Sequence, residues 1–119
     1  MKDVNLLSSN GIDVNAGLEL LGDMEMYDET LADFLTESLE RLPRLENAKN
    51  NCDMPNYAID AHAMKSDSKY LGFTKLAELS YQHEMESKAN NMDFINEHYQ
   101  ELIEEANRII KIVNEYLGN

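Results

Sequence analysis

The sequence predicts an all-α fold, an antiparallel four-helix bundle with a short extra N-terminal helix. Three observations carry that expectation. Apolar residues recur at intervals of three and four, no long apolar cluster sustains the period of two that half-buried strands require, and only two prolines and five glycines interrupt 119 residues.

Residues 1–12 read as a loose arm. A short first helix is expected from about Val14 to Leu21, with Asp13 as its N-cap and Gly22 placed to end it. A second, from Met24 to about Asn51, puts Tyr27, Leu31, Phe34, Leu35, Ser38, Leu42 and Leu45 on one stripe; Pro43 removes a backbone donor there and is expected to kink it. The polar run Asn50-Asn51-Cys52-Asp53 breaks the pattern, and Pro55 suits the first turn of a third helix reaching about Tyr70, closed by Gly72. A fourth, about Thr74 to Ala89, carries Leu76, Ser80 and His83 on one side. Beyond Asn90-Asn91 a fifth starts near Asp93, and its stripe of Ile95, Tyr99, Leu102, Ala106, Ile109, Val113 and Tyr116 is the clearest in the chain. With no repeat and no Pro-, Gly- or Ser-rich linker, residues 1–119 are expected to form one domain.

Bulk charge narrows the function. Ten Lys and Arg stand against 23 Asp and Glu, a net charge of −13, so the surface repels phosphate backbones and anionic headgroups. Neither a nucleic-acid nor a membrane role is expected. Cys52 is the single cysteine, which excludes an internal disulfide and a cysteine-based metal site and fits a reducing compartment. No apolar stretch approaches bilayer length, and Met1-Lys2-Asp3-Val4-Asn5 lacks the core of a secretory signal, so a cytoplasmic protein is expected, and its acidic surface and single complete core favour a monomer. Metal-binding His/Glu spacings, serine elbows and phosphate-cradling glycine loops are absent from the sequence. No cofactor or metal is expected.

The informative run is Ala61-His62-Ala63-Met64-Lys65-Ser66-Asp67-Ser68-Lys69-Tyr70-Leu71-Gly72. On a helical wheel Tyr57, Ala61, Met64, Ser68 and Leu71 share the buried face. His62 lies about 140° from the centre of that face, grouped with Pro55, Ile59, Lys65, Ser66 and Lys69. Lys65 and Lys69, at i+3 and i+7, therefore flank an exposed imidazole in an otherwise acidic chain, an arrangement suited to an anion attached to the ring. The same spacing suits an ordinary exposed histidine with two solubilising lysines.

The run resembles the pattern of histidine-containing phosphotransfer domains, His-x-Leu-Lys-Gly-Ser-Ser-x-x-Leu-Gly. It matches at the histidine, the lysine at +3, the serine at +6 and Leu71-Gly72, with Met64 a conservative replacement at +2. The order of elements from Gly11-Ile12-Asp13-Val14 onward is also similar, and the likeness spans about Gly11 to Leu117. It implies a phosphorelay intermediate that takes a phosphoryl group on Nε2 of His62 from a receiver-domain aspartate or a histidine kinase and passes it to another receiver. Lys65 balances the phosphoryl charge, Lys69 adds a weaker electrostatic contribution, and the receiver's own Mg²⁺ and lysine supply most of the catalysis. Glu84 stands where chemotaxis-kinase-type members place a glutamate that orients the histidine; as a bare residue it equally suits a solvated face beside Glu86. The implied partners are a response-regulator receiver domain and a hybrid sensor kinase, docking over Pro55 and Ile59 with Leu18 of the first helix beside them.

Two departures stand out. Ser66 replaces the usual glycine at +4 and narrows access to the ring. Asp67 replaces a serine at +5, and its charge is expected to oppose phosphorylation slightly. His83 falls where the family has an apolar residue and is expected to be a semi-buried packing histidine. Ser66 and Asp67 also support a different class of function, a non-catalytic helical adaptor that binds a receiver or kinase. A third reading is the phosphoacceptor module of a chemotaxis-type kinase, which Glu84 would mark.

Overall fold

The computed structural model describes residues 2–119, leaving Met1 of the expected arm outside the described residues. As expected, the chain is all-helical: α1 Val4–Ser8, α2 Val14–Leu21, α3 Met24–Asn50, α4 Met54–Leu71, α5 Thr74–Lys88 and α6 Met92–Leu117. Capping sets most of the starts. Asp13, Asp23, Asp53 and Asn91 each accept a hydrogen bond from the backbone N–H three residues on, which satisfies a donor the first turn leaves unpaired. Pro55 sits in the first turn of α4, while α3 runs on through Pro43, whose ring is exposed.

The four long helices form a ring of neighbours, α4 lying against α3 and α5, and α6 against α3 and α5. Their apolar stripes meet in one core that includes Tyr27, Leu31, Phe34, Leu45, Tyr57, Met64, Leu71, Leu76, Ile95, Leu102, Ile109 and Val113. Two charge pairs set α3 antiparallel to α4: Arg41 reaches Asp67 at 2.9 Å, and Arg44 reaches both oxygens of Asp60 at 2.8 and 3.2 Å. Advancing three residues on α3 thus corresponds to retreating two turns on α4.

The expected loose arm is corrected by the structure. Residues 4–8 form α1, Leu7 is fully buried in the core, and Ile12 pairs with Phe73 as an isolated antiparallel bridge. Arg108 of α6 holds the following turn from outside, donating to the Asn10 carbonyl at 3.0 Å while both its other nitrogens engage buried Glu105.

Gly72 joins this arm to the end of α4. It adopts φ +80°, its carbonyl accepts from the Asp13 N–H at 2.8 Å, and a Cβ there would overlap the Asp13 backbone. The carbonyl just before it, of Leu71, accepts from the Tyr27 hydroxyl at 2.6 Å. Gly72→Ala should therefore cost roughly 2–4 kcal/mol in urea unfolding, since strain at a left-handed residue adds to a backbone clash. A loss below about 0.5 kcal/mol, the usual range for a harmless surface change, would contradict this account of the joint.

Candidate functional site

The buried face of α4 decides where His62 points. Tyr57, Ala61, Met64 and Ser68 are buried, so the imidazole is turned outward toward α5 with 57% of its side chain exposed. Its Nδ1 lies 2.9 Å from Oε2 of Glu84. Glu84 is not a solvated face residue: only 3% of its side chain is exposed.

A carboxylate so withdrawn from water survives as an ion only among donors. It has three. Lys65 Nζ stands 2.9 Å from Oε1, and Lys88 Nζ stands 2.7 Å from Oε2, the oxygen that also faces His62. Burial pushes the Glu84 carboxyl up, but the hydrogen bond from Lys88, the ion pair with Lys65 and the hydrogen bond from His62 overturn that and bring it down to about 2. An ionised Glu84 can only accept, so Nδ1 of His62 must be the protonated nitrogen of the neutral ring. Nε2 then keeps its lone pair. The arrangement is an exposed nucleophilic nitrogen backed by an oriented carboxylate, with two cations beside it.

The other sequence-predicted residues divide. Lys65 is mostly covered, 17% of its side chain being exposed, and lies 5.4 Å from the centre of the Tyr81 ring. Ser66 is half-buried on the next turn. Lys69 is exposed two turns beyond His62 and lines a separate cavity with Ser68, Thr74 and Tyr81. Pro55 and Ile59 do share an open groove with His62, Glu84 and Lys88, with Ile59 64% exposed. Leu18 does not join them: it is half-buried against the core and lines another groove with Val14 and Met24. The reason is the packing of α2, whose Gly17 lies against Tyr27 and the backbone of Tyr70, near the opposite end of α4 from Pro55.

Asp67 is also corrected. Arg41, itself buried, takes its charge at 2.9 Å, so Asp67 ties α4 to α3 instead of opposing a phosphoryl group at His62. His83 is fully buried, not semi-buried; it shares a 2.8 Å hydrogen bond with the Tyr57 hydroxyl and lies edge-on to Phe94. Desolvation lowers it to about 4, so it packs as a neutral ring. Lys88 and Tyr81 escaped the sequence reading. The signal for Lys88 was its position four residues after Glu84 on one helix, the spacing of a Glu–Lys pair. Among the described residues no group of three or more His, Cys, Asp or Glu is placed to hold a metal ion.

Comparison with known proteins places these residues in context. The model of the Hpt domain family matches residues 29–111. The chain is similar to the phosphorelay intermediate protein rdeA of Dictyostelium discoideum, 26% identical over 98 residues. Those residues are 82% of this chain and 39% of that protein, so the chain spans well under half of the relative's length. No solved structure matches.

Stability in acid should fall in two overlapping windows. His83 has a folded value of about 4 against an ordinary 6.5, so its contribution is complete above 6.5 and is lost as pH falls to about 4. Glu84, lowered from 4.5 to about 2, contributes fully above 4.5 and loses that contribution as pH falls to about 2. Urea midpoints followed across this range should show a flatter lower window in Glu84→Gln. An identical acid profile in that variant would mean that the carboxylate is not held by its cations.

Proposed function

The chain belongs to the histidine-containing phosphotransfer (Hpt domain) family, and from that premise we propose that it is a phosphorelay intermediate carrying a phosphoryl group on His62. The observation that carries the reading is the contact between Nδ1 of exposed His62 and buried Glu84, because it leaves Nε2 free on the solvent side. In the proposed step the Nε2 lone pair attacks the phosphorus of a receiver's phosphoaspartate. The bond from phosphorus to the aspartyl oxygen breaks, and its electron pair leaves with the aspartate carboxylate. Nδ1 keeps its proton throughout, so the ring becomes a phosphoimidazolium whose positive charge faces Glu84. Reversal onto a second receiver restores the neutral ring. A histidine kinase is the alternative donor, and the chain itself acts as a carrier without kinase activity of its own.

Within this reading Lys65 assists charge balance at the phosphoryl group, Lys69 contributes from farther away, and Ser66 narrows the approach to the ring. Pro55 and Ile59 belong to the surface that docks a receiver domain or the receiver of a hybrid sensor kinase. The net charge of −13 supports a monomer that contacts neither nucleic acid nor membrane surfaces, and the single cysteine suits a reducing compartment such as the cytoplasm; no helix among the described residues is long and apolar enough to cross a membrane. The Glu84 contact also favours a second reading, in which the chain is the phosphoacceptor module of a chemotaxis-type kinase. Transfer from a kinase domain alone, with none from receivers, would select it.

Incubation with phosphorylated receivers should place acid-labile, alkali-stable phosphate on the wild-type chain and none on His62→Gln. Lys65→Ala should be labelled more slowly, on the order of tenfold, because a charge-assisted contact to a phosphoryl group is lost. Folded wild-type protein that takes no label from several receivers, kinases and small-molecule donors would instead make the chain a non-catalytic adaptor.

A further inference from the structure

Two lysines hold Glu84, and they hold different oxygens. Lys65 reaches Oε1 from α4, the helix that bears His62. Lys88 reaches Oε2 from α5 itself, one turn after Glu84, and Oε2 is the oxygen that Nδ1 of His62 engages. The distribution matters because an ammonium acts as a point charge and holds one carboxylate oxygen, so two lysines on different oxygens fix the rotation of the carboxylate where one would not. With Lys65 alone, only Oε1 would be held by a cation, and Oε2 could turn away from the imidazole. Lys88 opposes the turn by anchoring Oε2 at 2.7 Å, slightly closer than the histidine nitrogen at 2.9 Å.

Charge leads to the same residue. Lys65 alone offsets the single charge of Glu84, so Lys88 leaves the group with a surplus positive charge beside the ring that would receive a dianion. Lys69 is not brought to this carboxylate; it lines the cavity beyond Tyr81. Lys88 is also well placed to keep its charge. It is the last residue of α5, where the helix dipole favours a cation, and 57% of its side chain remains in water.

We propose that Lys88 is a positioning residue for His62: it fixes Oε2 of Glu84 under Nδ1 and so keeps Nε2 aimed outward for phosphoryl transfer. The transfer part rests on the carrier reading above; the positioning part does not. Partners that orient metal-bound histidines change affinity or activity by about tenfold or more when removed, and Lys88 acts on His62 in the same way at one remove, through Glu84.

The test compares the full chain with Lys88→Met and Lys88→Arg by two measurements. One is the ¹⁵N signals of the His62 ring in unphosphorylated protein. The other is single-turnover transfer from a phosphorylated receiver at increasing receiver concentration. Lys88→Met should shift the ring signals and lower the maximal transfer rate on the order of tenfold, with the half-saturating receiver concentration unchanged. Lys88→Arg, which keeps the cation, should restore both. Unchanged ring signals in Lys88→Met would overturn the proposal, as would a loss confined to half-saturation, which makes Lys88 a docking residue, or a loss that arginine does not restore. Should wild-type protein accept no phosphoryl group from any donor, the carrier reading fails, and the ring signals alone decide whether Lys88 positions His62.

Discussion

A single buried carboxylate governs the α4–α5 face. Removing Glu84 from water costs several kcal/mol unless its charge is met, and it is met by groups from both helices at once. Lys65 and His62, one turn apart on α4, converge on it, while Lys88 closes from α5. A shift of either helix by one residue would separate these groups and leave an uncompensated ion inside the protein. The register of α4 against α5 and the orientation of His62 are thus one constraint. Fold stability and histidine chemistry draw on the same carboxylate, which is why its ionisation is pushed so far below the ordinary range.

The remainder of the bundle keeps α4 where that constraint needs it. On the far side from α5, Asp60 and Asp67 are tied to Arg44 and Arg41 of α3. Each tie has one buried member, Arg41 in the first and Asp60 in the second, so loss of its more exposed partner, Asp67 or Arg44, would strand a charge inside the bundle. At the C-terminal end Gly72 lets the chain fold back against Asp13, and Tyr27 caps the Leu71 carbonyl. The α1–α2 segment is therefore a clamp on the end of α4, with Leu7 as its buried anchor.

Much of this was legible beforehand, for reasons that can be stated residue by residue. Asp13, Pro55 and Gly72 announced helix ends because a short acceptor, a fixed φ and an unbranched backbone suit those positions. The stripe from Ile95 to Tyr116 announced the last helix by its period. His62 was legible as exposed because its helix has a well-marked apolar face elsewhere. What escaped depends on pairing across elements. Glu84 was singled out only through the family resemblance, since as a bare residue it suits a solvated face equally well until Lys65 and Lys88 are known to meet it, and Asp67 reads as a nuisance charge until Arg41, 26 positions away, is placed beside it. The arm escaped because Ser8-Ser9-Asn10-Gly11 reads as loop and the helix before it is only five residues long.

The central claim is that Glu84 assigns the proton of His62 to Nδ1 and the chemistry to Nε2. The most direct measurement is the site of attachment in the phosphorylated chain, read from phosphorus–nitrogen coupling in ³¹P and ¹⁵N spectra. The account predicts phosphorus bonded to Nε2, with Nδ1 still carrying its proton toward Glu84. Phosphorus on Nδ1 would contradict it, because that nitrogen would have to leave the carboxylate on which the whole arrangement depends.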